Sequence, residues 1–234
     1  MTSCAICQPN FLPWMGYLEM ADQVDTFIVL DDVQFIKRDW VCRNRISNKE
    51  QSWQWLTVPV KKAPRNTNIN MIRICYESNW NKTIYETIRH VYSKSKCFDS
   101  YANELKEVLY TQYEYLIQLN INLLSLIMRW LNFRQNFILS SNLQIQGKKE
   151  EKLIGLCKAV GAIHYLANNG SKPYIHPDLF ENEGISFQFQ DYRHPEYAQF
   201  GGDFVSYLSV LDVIFHHGSC ARDIIVSGRN VKTD

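Results

Sequence analysis

Polar and aromatic side chains crowd the loop that follows the first apolar segment of this 234-residue sequence. Residues 3–7 form a short apolar run typical of a buried strand, and Pro13 stands where a helix can begin. In open α/β sheets, a loop from the end of a strand to the start of a helix is a preferred ligand site, because the first N–H groups of the helix attract anions. This loop and helix start supply the first predicted substrate-binding residues: Gln8, Asn10, Trp14 and Gly16.

Two adjacent carboxylates, Asp31 and Asp32, follow the second apolar run at residues 26–30. The succession of strand, helix and strand predicts a βαβ unit, so both strands should end at the same edge of a parallel sheet. Both carboxylates are therefore candidates for binding substrate. Adjacent side chains on an extended segment point to opposite faces, so we do not expect both to serve one site. The alternative is that they cap a turn.

A local basic cluster with an aromatic residue occupies residues 37–45. Arg43 and Arg45 alternate in a strand-like stretch, and their planar guanidinium groups suit bidentate binding of a phosphate. The cluster follows the second strand, whose end should lie beside the first loop, so we predict that both arginines bind substrate. Lys61 is a further candidate for the same anion site. Taken alone, the cluster would be interpreted as solvated surface charge.

The carboxyl-terminal part of the sequence carries the predicted proton-transfer groups. His194 stands beside a proline in a polar, aromatic loop, where catalytic residues are often found. Asp212 belongs to a predicted helix, and His217 follows at its end, where the helix dipole stabilises an imidazolium. We predict that His217 or His194 is an acid–base group and that Asp212 orients a histidine or bonds to the backbone. A single histidine is more often structural, and the clustering of these residues favours chemistry.

The elements that must position these residues are those of an α/β domain. Apolar runs predict an open, mostly parallel sheet, and three- and four-residue apolar spacing predicts helices, with a helical insertion and a helical C-terminus. We expect a single domain over residues 1–234, with an α/β core at 1–76 and 137–234 and the helical insertion at 77–136. The predicted strands cover residues 3–7, 26–30, 53–60, 71–76, 137–140, 162–166 and 185–190. The predicted helices cover residues 14–21, 80–93, 99–116, 117–134, 150–160, 204–215 and 222–226.

Charge and cysteine content argue against several classes of protein. The 25 basic and 24 acidic residues leave a formal net charge of +1, which provides no electrostatic footprint for duplex DNA or an acidic membrane surface. Seven irregularly spaced cysteines argue against a secreted disulfide framework, and no metal site is predicted. The start of the sequence lacks a signal-peptide pattern, and polar residues interrupt its most apolar stretch. We therefore expect a cytoplasmic protein without membrane insertion.

The sequence resembles the WbqC-like protein family over almost its whole length. The resemblance is carried by QPNFLPWMGYLEMADQVDTFIVLDDVQFIKRDWVCRNRI, WQWLTVPV, SSNLQIQGKKEEKLIGLCKAVGAIHYLANNGSKPYI and FQFQDYRHPEYAQFGGDFVSYLSVLDVIFHHG. Members of this family occur in gene clusters for O-antigen and related bacterial surface polysaccharides, some of which contain amino sugars with aminoacyl groups such as glycyl. The resemblance implies an enzyme that forms an amide on the amine of a nucleotide-activated amino sugar, by acyl or aminoacyl transfer.

The first sixty residues are also similar in layout to nucleotidylyltransferases of the HUP type, which implies a HUP- or Rossmann-like sheet. The paired histidines of the loop in those enzymes are missing here. Two alternatives to the transferase follow: a HUP-type nucleotidylyltransferase acting on a small phosphorylated or carboxylated substrate, or a non-catalytic binding subunit of the polysaccharide pathway. For the transferase the acyl donor stays open: a thioester of coenzyme A or of a carrier protein, an aminoacyl-tRNA, or an amino acid activated by ATP and Mg²⁺.

Cys7 stands where the WbqC-like family commonly has a histidine, directly before the Gln-Pro pair. If that histidine is a general base, Cys7 replaces it as a catalytic nucleophile, and the nearby helix N-terminus would lower the pKa of its thiol. The alternative is a small buried side chain that fills the end of the strand. We prefer the alternative because cysteine is among the most buried residue types.

Overall fold

The computed structural model describes residues 2–48, 52–134, 136–200 and 203–230. The strands are β1 (Ser3–Cys7), β2 (Thr26–Val29), β3 (Arg43–Ser47), β4 (Trp53–Thr57), β5 (Phe137–Leu139), β6 (His164–Ala167) and β7 (Ser186–Phe189). A sheet of five parallel strands in the order β5-β2-β1-β6-β7 forms the centre, and β3 and β4 form a separate antiparallel hairpin. The order of the parallel strands is that of doubly wound, Rossmann-like sheets.

Helices cover both faces of the parallel sheet. They are α1 (Met15–Gln23), α2 (Trp80–Tyr92), α3 (Phe98–Tyr110), α4 (Leu116–Trp130), α5 (Ser140–Leu143), α6 (Lys149–Ala159), α7 (Pro177–Glu181), α8 (Leu211–His217) and α9 (Ala221–Ser227). On β1, Ala5 and Cys7 face a large core shared with α1–α4, α8 and α9. Cys4 and Ile6 face a smaller core shared with α6 and α7. A strand buried on both faces has no polar side, which explains the unbroken apolar run in the sequence.

The two halves of the sheet meet between β1 and β6. From β1 the chain crosses through α1 to β2 and later reaches β5, and it then continues on the other side of β1 as β6 and β7. The loops that leave β1 and β6 therefore run in opposite directions at the carboxyl edge of the sheet. Such a switch point leaves a crevice, and ligands of open α/β sheets bind there.

The β3–β4 hairpin lies between β2 and α2 in the sequence, outside the parallel sheet. Asn44, Ile46 and Leu56 turn toward the core and are buried, because side chains alternate between the two faces of a strand. Arg43 and Arg45 lie on the opposite face. One face of the hairpin thus packs on the domain, and the other forms part of the surface.

The α/β class, the parallel sheet and the helical C-terminus are confirmed, but the predicted strand at residues 71–76 is wrong. A 3₁₀ turn occupies Ile69–Met71, and the following segment makes single bridges without becoming a strand. Ile72 and Ile74 are buried, and their backbones bond to Leu116 and Glu114 in front of α4. Burial of every second side chain produced the alternating pattern without a sheet.

Two further predicted elements have different bounds or neighbours. The helix predicted at residues 204–215 begins only at Leu211, because the preceding backbone bonds elsewhere: Ser209 N–H to the carbonyl of Arg45 and Val210 N–H to that of Pro13, each at 2.8 Å. The strand predicted at residues 53–60 ends at Thr57 and belongs to the hairpin rather than to the parallel sheet. The short helices α5 and α7 were not predicted.

Candidate functional site

A cavity of about 670 Å³ opens at the switch point between β1 and β6. Its walls come from the loop after β1, the start of α1, the segment before β3 and the loop after β6. All four residues predicted from the first loop and helix start line it: Gln8, Asn10, Trp14 and Gly16. A concave site of this volume, mostly apolar with a few convergent polar groups, suits a small-molecule ligand.

Two buried asparagines hold the loop after β1 in place. Asn44 Nδ2 donates to the carbonyl oxygens of Phe11 (3.1 Å) and Leu12 (2.8 Å), and Asn44 Oδ1 accepts the next backbone N–H at 2.8 Å. On α4, Asn120 Nδ2 donates to the carbonyl oxygen of Pro9 in this loop at 3.4 Å and to that of Val41 at 2.8 Å. Leu12 has a φ of 45°, a left-handed conformation that is costly for a residue with a side chain. The amide bonds offset that strain and fix the cavity wall.

Trp14 forms one side of the cavity mouth. Its ring lies over Gly16, where a Cβ atom would overlap the ring, so a glycine is needed for this close approach. The ring also contacts Tyr192, with centroids 5.8 Å apart, and Tyr207, with centroids 5.4 Å apart. Gly16 therefore acts by leaving space for an aromatic wall.

His194 stacks on the outer face of this aromatic wall. Its ring is 6.2 Å from that of Trp14 at an angle of 11°. His194 Nδ1 donates to the carbonyl oxygen of Pro195 at 2.9 Å, and Nε2 accepts the N–H of Tyr207 at 3.1 Å. Burial, as the main cause, lowers the pKa of the imidazole below 6.5. In this arrangement both ring nitrogens are engaged by the backbone, and His194 holds the wall rather than presenting a nitrogen to a ligand.

Cys7 lies at the floor of the cavity and is buried. Burial raises the pKa of its thiol to about 12, although a hydrogen bond from Asn168 acts in the other direction. The pKa of the Cys7 thiol is therefore raised, whereas the helix N-terminus was expected to lower it. The Sγ atom lies 3.5 Å from Met20 Sδ, a soft contact typical of a packed core. Cys7 is thus placed as a small buried side chain, the interpretation preferred from the sequence.

Asp39 is the carboxylate that the cavity wall contains, within the part of the chain that the structure describes. It is half-buried, and its Oδ1 accepts the N–H of Trp40 at 2.7 Å. Among the described lining residues there is no lysine, arginine or histidine. Asp39 was not predicted from the sequence, because it lies among the basic residues of 37–45 and that segment was interpreted as an anion-binding cluster.

The loop after β6 forms the opposite wall. Asn168 and the 3₁₀ turn Asn169–Ser171 line the cavity, and Ser171 Oγ donates to the carbonyl oxygen of Asn168 at 2.6 Å. Tyr17 also lines the cavity, where its hydroxyl is buried close to the backbone N–H of Asn10. Burial raises the pKa of that hydroxyl well above 10, so it is a neutral donor. A neutral hydroxyl that accepts a backbone N–H still has its own O–H to donate to a ligand in the cavity.

Asp31 and Asp32 stand at the end of β2, as predicted, but they contact α5 and α6 rather than the cavity. Asp31 is buried and accepts the N–H of Ser141 at 2.9 Å and its hydroxyl at 2.7 Å. Asp32 forms an ion pair with Lys152 at 2.7 Å. Ser140 Oγ lies within hydrogen-bond distance of both carboxylates, 3.0 Å from Asp31 and 2.5 Å from Asp32. Asp31 and Asp32 thus connect the end of β2 to α5 and α6, a structural role of the same kind as the turn capping considered as the alternative.

The predicted anion-binding residues separate into two places. Arg43 and Arg45 lie on the outward face of the hairpin, and the guanidinium of Arg45 stands 5.4 Å from the ring of Trp40, which also lines the cavity. Lys61 lies in a different groove, together with Arg73. The structure therefore brings the two arginines, but not Lys61, next to the cavity.

Asp212 and His217 lie outside the described cavity lining. Asp212 is buried and accepts three hydrogen bonds, from Tyr92 Oη at 2.8 Å and from Tyr197 Oη and Gln199 Nε2, each at 2.9 Å. The histidine beside Asp212 is His216 rather than His217, and its Nδ1 lies 3.8 Å from the carboxylate. The ring of His217 bonds instead to the carbonyl oxygen of Ala198 at 2.9 Å. This cluster supports the loop that carries His194.

The described residues contain neither a helix suited to span a membrane nor a cluster of side chains suited to hold a metal ion. None of their helices combines the length and the apolar character that crossing a membrane requires. In the same residues, no three or more histidine, cysteine, aspartate or glutamate side chains are grouped in a way that could hold a metal ion.

Comparisons with known proteins agree with the sequence resemblance. A model of the WbqC-like protein family matches residues 8–224. The chain is also similar to the uncharacterized protein Rv1507c of Mycobacterium tuberculosis (strain ATCC 25618 / H37Rv). The two are 32% identical over 227 residues, which cover 96% of this chain and 98% of the relative. No solved structure matches the chain.

Proposed function

The chain belongs to the WbqC-like protein family, and from that premise we propose that it transfers an acyl or aminoacyl group to the amine of a nucleotide-activated amino sugar. Membership of the family points to polysaccharide biosynthesis. The observation that carries the finer proposal is Asp39, an acidic group in a cavity wall whose other described lining residues include no basic side chain. Such a site favours a ligand with a positively charged or proton-donating group, and a protonated amine is both charged and a donor.

Asp39 would act on the amine as a proton acceptor. An amine attacks a carbonyl carbon only through its neutral lone pair, so a proton must leave the nitrogen before or during attack. The new carbon–nitrogen bond forms as Asp39 takes that proton, and the bond from the acyl carbon to the leaving sulfur or oxygen breaks with its electron pair. The leaving group then takes up a proton. The acyl donor is a thioester or an ester of the classes predicted from the sequence, or an acyl-adenylate.

The other cavity residues supply neutral contacts. Gln8, Asn10 and Asn168 present amide groups that can pair with sugar hydroxyls, and the neutral hydroxyl of Tyr17 adds a donor. Trp14 provides an aromatic face of the kind on which sugar rings pack. His194 is assigned a positioning role, because its nitrogens hold Tyr207 and Pro195 while its ring supports Trp14.

The nucleotidylyltransferase alternative is less well supported. Enzymes that bind nucleoside triphosphates hold the phosphates with cationic side chains, backbone N–H groups and Mg²⁺. The described cavity lining contains no lysine or arginine, and it lacks the histidine pair of the HUP loop. Release of pyrophosphate from a triphosphate by the purified protein and a sugar phosphate would favour this alternative.

Mass spectrometry of the nucleotide-sugar pool tests the proposed reaction. Deletion of the gene should cause an amino nucleotide sugar to accumulate and its acylated form to disappear, and the wild-type gene should restore the acylated form. Asp39→Asn should fail to restore it, because an amide cannot take the proton but can still accept the N–H of Trp40. Asp223→Asn, at an exposed carboxylate of α9, is the matched control and should restore it.

An unchanged pool after deletion would reject the proposal. Restoration by Asp39→Asn would reject the assigned role of Asp39. Loss of the whole nucleotide sugar, with no accumulated amine, would favour the nucleotidylyltransferase. A non-catalytic binding subunit predicts that Asp39→Asn restores the pool to the same extent as the wild type.

A further inference from the structure

The outward face of the β3–β4 hairpin and a tryptophan three residues before it form a cluster that we name the Trp–Arg platform: Trp40, Arg43, Arg45, Trp53 and Trp55. The exposed fractions of the three tryptophans are 38%, 39% and 37%. Tryptophan side chains are on average highly buried, so three that stay exposed side by side are unusual. Clustered exposed apolar side chains mark binding surfaces.

The guanidinium groups of the two arginines lie over these rings. The guanidinium carbon of Arg43 lies 4.0 Å from the ring centroid of Trp55, and that of Arg45 lies 5.0 Å from that of Trp53. Cation–π contacts at these distances fix the direction of each guanidinium. The side chains are therefore preorganised, and less conformational entropy is lost when they bind an anion.

The positive charge of the platform is not neutralised within the described residues. Neither Arg43 nor Arg45 forms an ion pair with a carboxylate there. In the part of the chain that the structure describes, the Nε–H group of each arginine also lacks a hydrogen-bond partner. Both Nε atoms are shielded from solvent, so an anionic ligand would meet the terminal nitrogens of the two guanidinium groups. Phosphate is the anion whose geometry best fits a pair of guanidinium groups.

The platform and the cavity share a residue and are fixed to each other. Trp40 belongs to both, and its carbonyl oxygen accepts the N–H of Phe11 in the loop after β1 at 2.9 Å. Arg45 Nη2 donates to the carbonyl oxygen of Tyr207 at 3.2 Å, and the ring of Tyr207 contacts Trp14 at the cavity mouth. A ligand that lies on the platform can thus extend directly into the cavity.

We propose that the Trp–Arg platform binds the nucleoside diphosphate part of the substrate, with the base stacked on an exposed tryptophan and the diphosphate held by Arg43 and Arg45. The inference rests on the proposed function, since it places the sugar at the cavity and its amine near Asp39. It adds the site of the nucleotide itself, which would lie on the hairpin and not in the switch-point crevice. The described cavity lining supplies no cation for a diphosphate.

The size of the platform favours a single nucleotide over a nucleic-acid strand. Along the hairpin it extends from Arg43 to Trp53, which pairs with Ser47, so it spans four residue steps of about 3.4 Å each, or about 14 Å. Sites for single-stranded nucleic acid follow a longer basic groove over several nucleotides. The formal net charge of +1 gives no sign of such a groove.

Isothermal titration calorimetry of the full chain with UDP, GDP, CDP and dTDP, each alone, tests the platform. At least one diphosphate should bind, with an affinity that falls as the salt concentration rises. Arg45→Gln and Trp53→Ala should each weaken it about tenfold or more, the scale of one charge-assisted bond or one stacked base. Arg73→Gln is the matched control and should leave it unchanged, because Arg73 also lies over a ring, that of Tyr115, but already pairs with a carboxylate.

A graded series guards against misfolding. Arg45→Lys keeps the charge and loses the fork, and Trp53→Phe keeps a ring, so each should bind more weakly than the wild type and better than the harsher variant. Asp39→Asn should keep the diphosphate affinity while abolishing acylation, which separates failure of the platform from failure of the proposed reaction. Equal affinity in wild type and platform variants would overturn the inference. So would the absence of diphosphate binding, or binding of a short single-stranded RNA through the same residues without binding of any diphosphate.

Discussion

Replacing Asn44 by alanine tests how the cavity is held together. The buried Asn44 side chain makes three hydrogen bonds, two to carbonyl oxygens of the loop after β1 and one to a backbone N–H of β3. At about 1 kcal/mol each, their loss lowers the free energy of unfolding by about 3 kcal/mol. The stranded groups are buried, so the total rises toward about 5 kcal/mol where water cannot reach them. For a chain of this length, 3 kcal/mol corresponds to a melting temperature about 6–12 °C lower.

Urea unfolding followed by circular dichroism measures this loss. The midpoint should fall while the slope of free energy against urea stays the same, because the folded state keeps its compactness. Asn122→Ala is the matched control: it removes an exposed amide on α4 that bonds to the carbonyl oxygen of Gln118. Its effect should stay within about 0.5 kcal/mol. A loss below about 1 kcal/mol for Asn44→Ala, or an equal loss for the control, would refute the role of Asn44 as the support of the loop.

Two further predictions concern the aromatic wall. Gly16→Ala places a Cβ atom against the Trp14 ring, so the ring should leave its position and acylation should be lost. The free energy of unfolding should fall by only about 1–3 kcal/mol. Retained activity would contradict the need for a glycine. The lowered pKa of His194 means that the stability linked to its neutral form is present above pH 6.5 and is lost as the pH falls through the folded-state value. Unfolding free energies at pH 7.5 and pH 5 should therefore differ less in His194→Gln than in the wild type or in His90→Gln, an exposed histidine; equal differences in all three would contradict burial as the cause.

The β-strand and loop at the start of the chain were predictable because their signals are local. An unbroken apolar run, a proline that ends it and a helical pattern after Pro13 indicate a strand, a loop and a helix without knowledge of distant residues. The position of this loop as a ligand site followed from the general topology of parallel sheets. The same logic placed Gln8 and Asn10 in the cavity wall.

The rest of the site depends on contacts that sequence spacing does not encode. Asp39 reaches the cavity because the Trp40 carbonyl bonds to Phe11, and that bond joins two loops 29 residues apart. His194 was predicted as a base from its type and loop, but its two ring nitrogens are used by neighbouring backbone groups. The partner of Asp212 was also decided by packing, since three neutral donors, rather than His217, fill its shell.

Where the substrate amine binds decides whether Asp39 can act as its proton acceptor. The measurement is a crystal structure of the Asp39→Asn variant with the amino nucleotide sugar that accumulates in the deletion strain. We expect the amine nitrogen to lie in the switch-point cavity, within about 3.2 Å of the side chain of residue 39, with the diphosphate at Arg43 and Arg45. An amine that points away from residue 39, or a sugar bound outside the cavity, would contradict it.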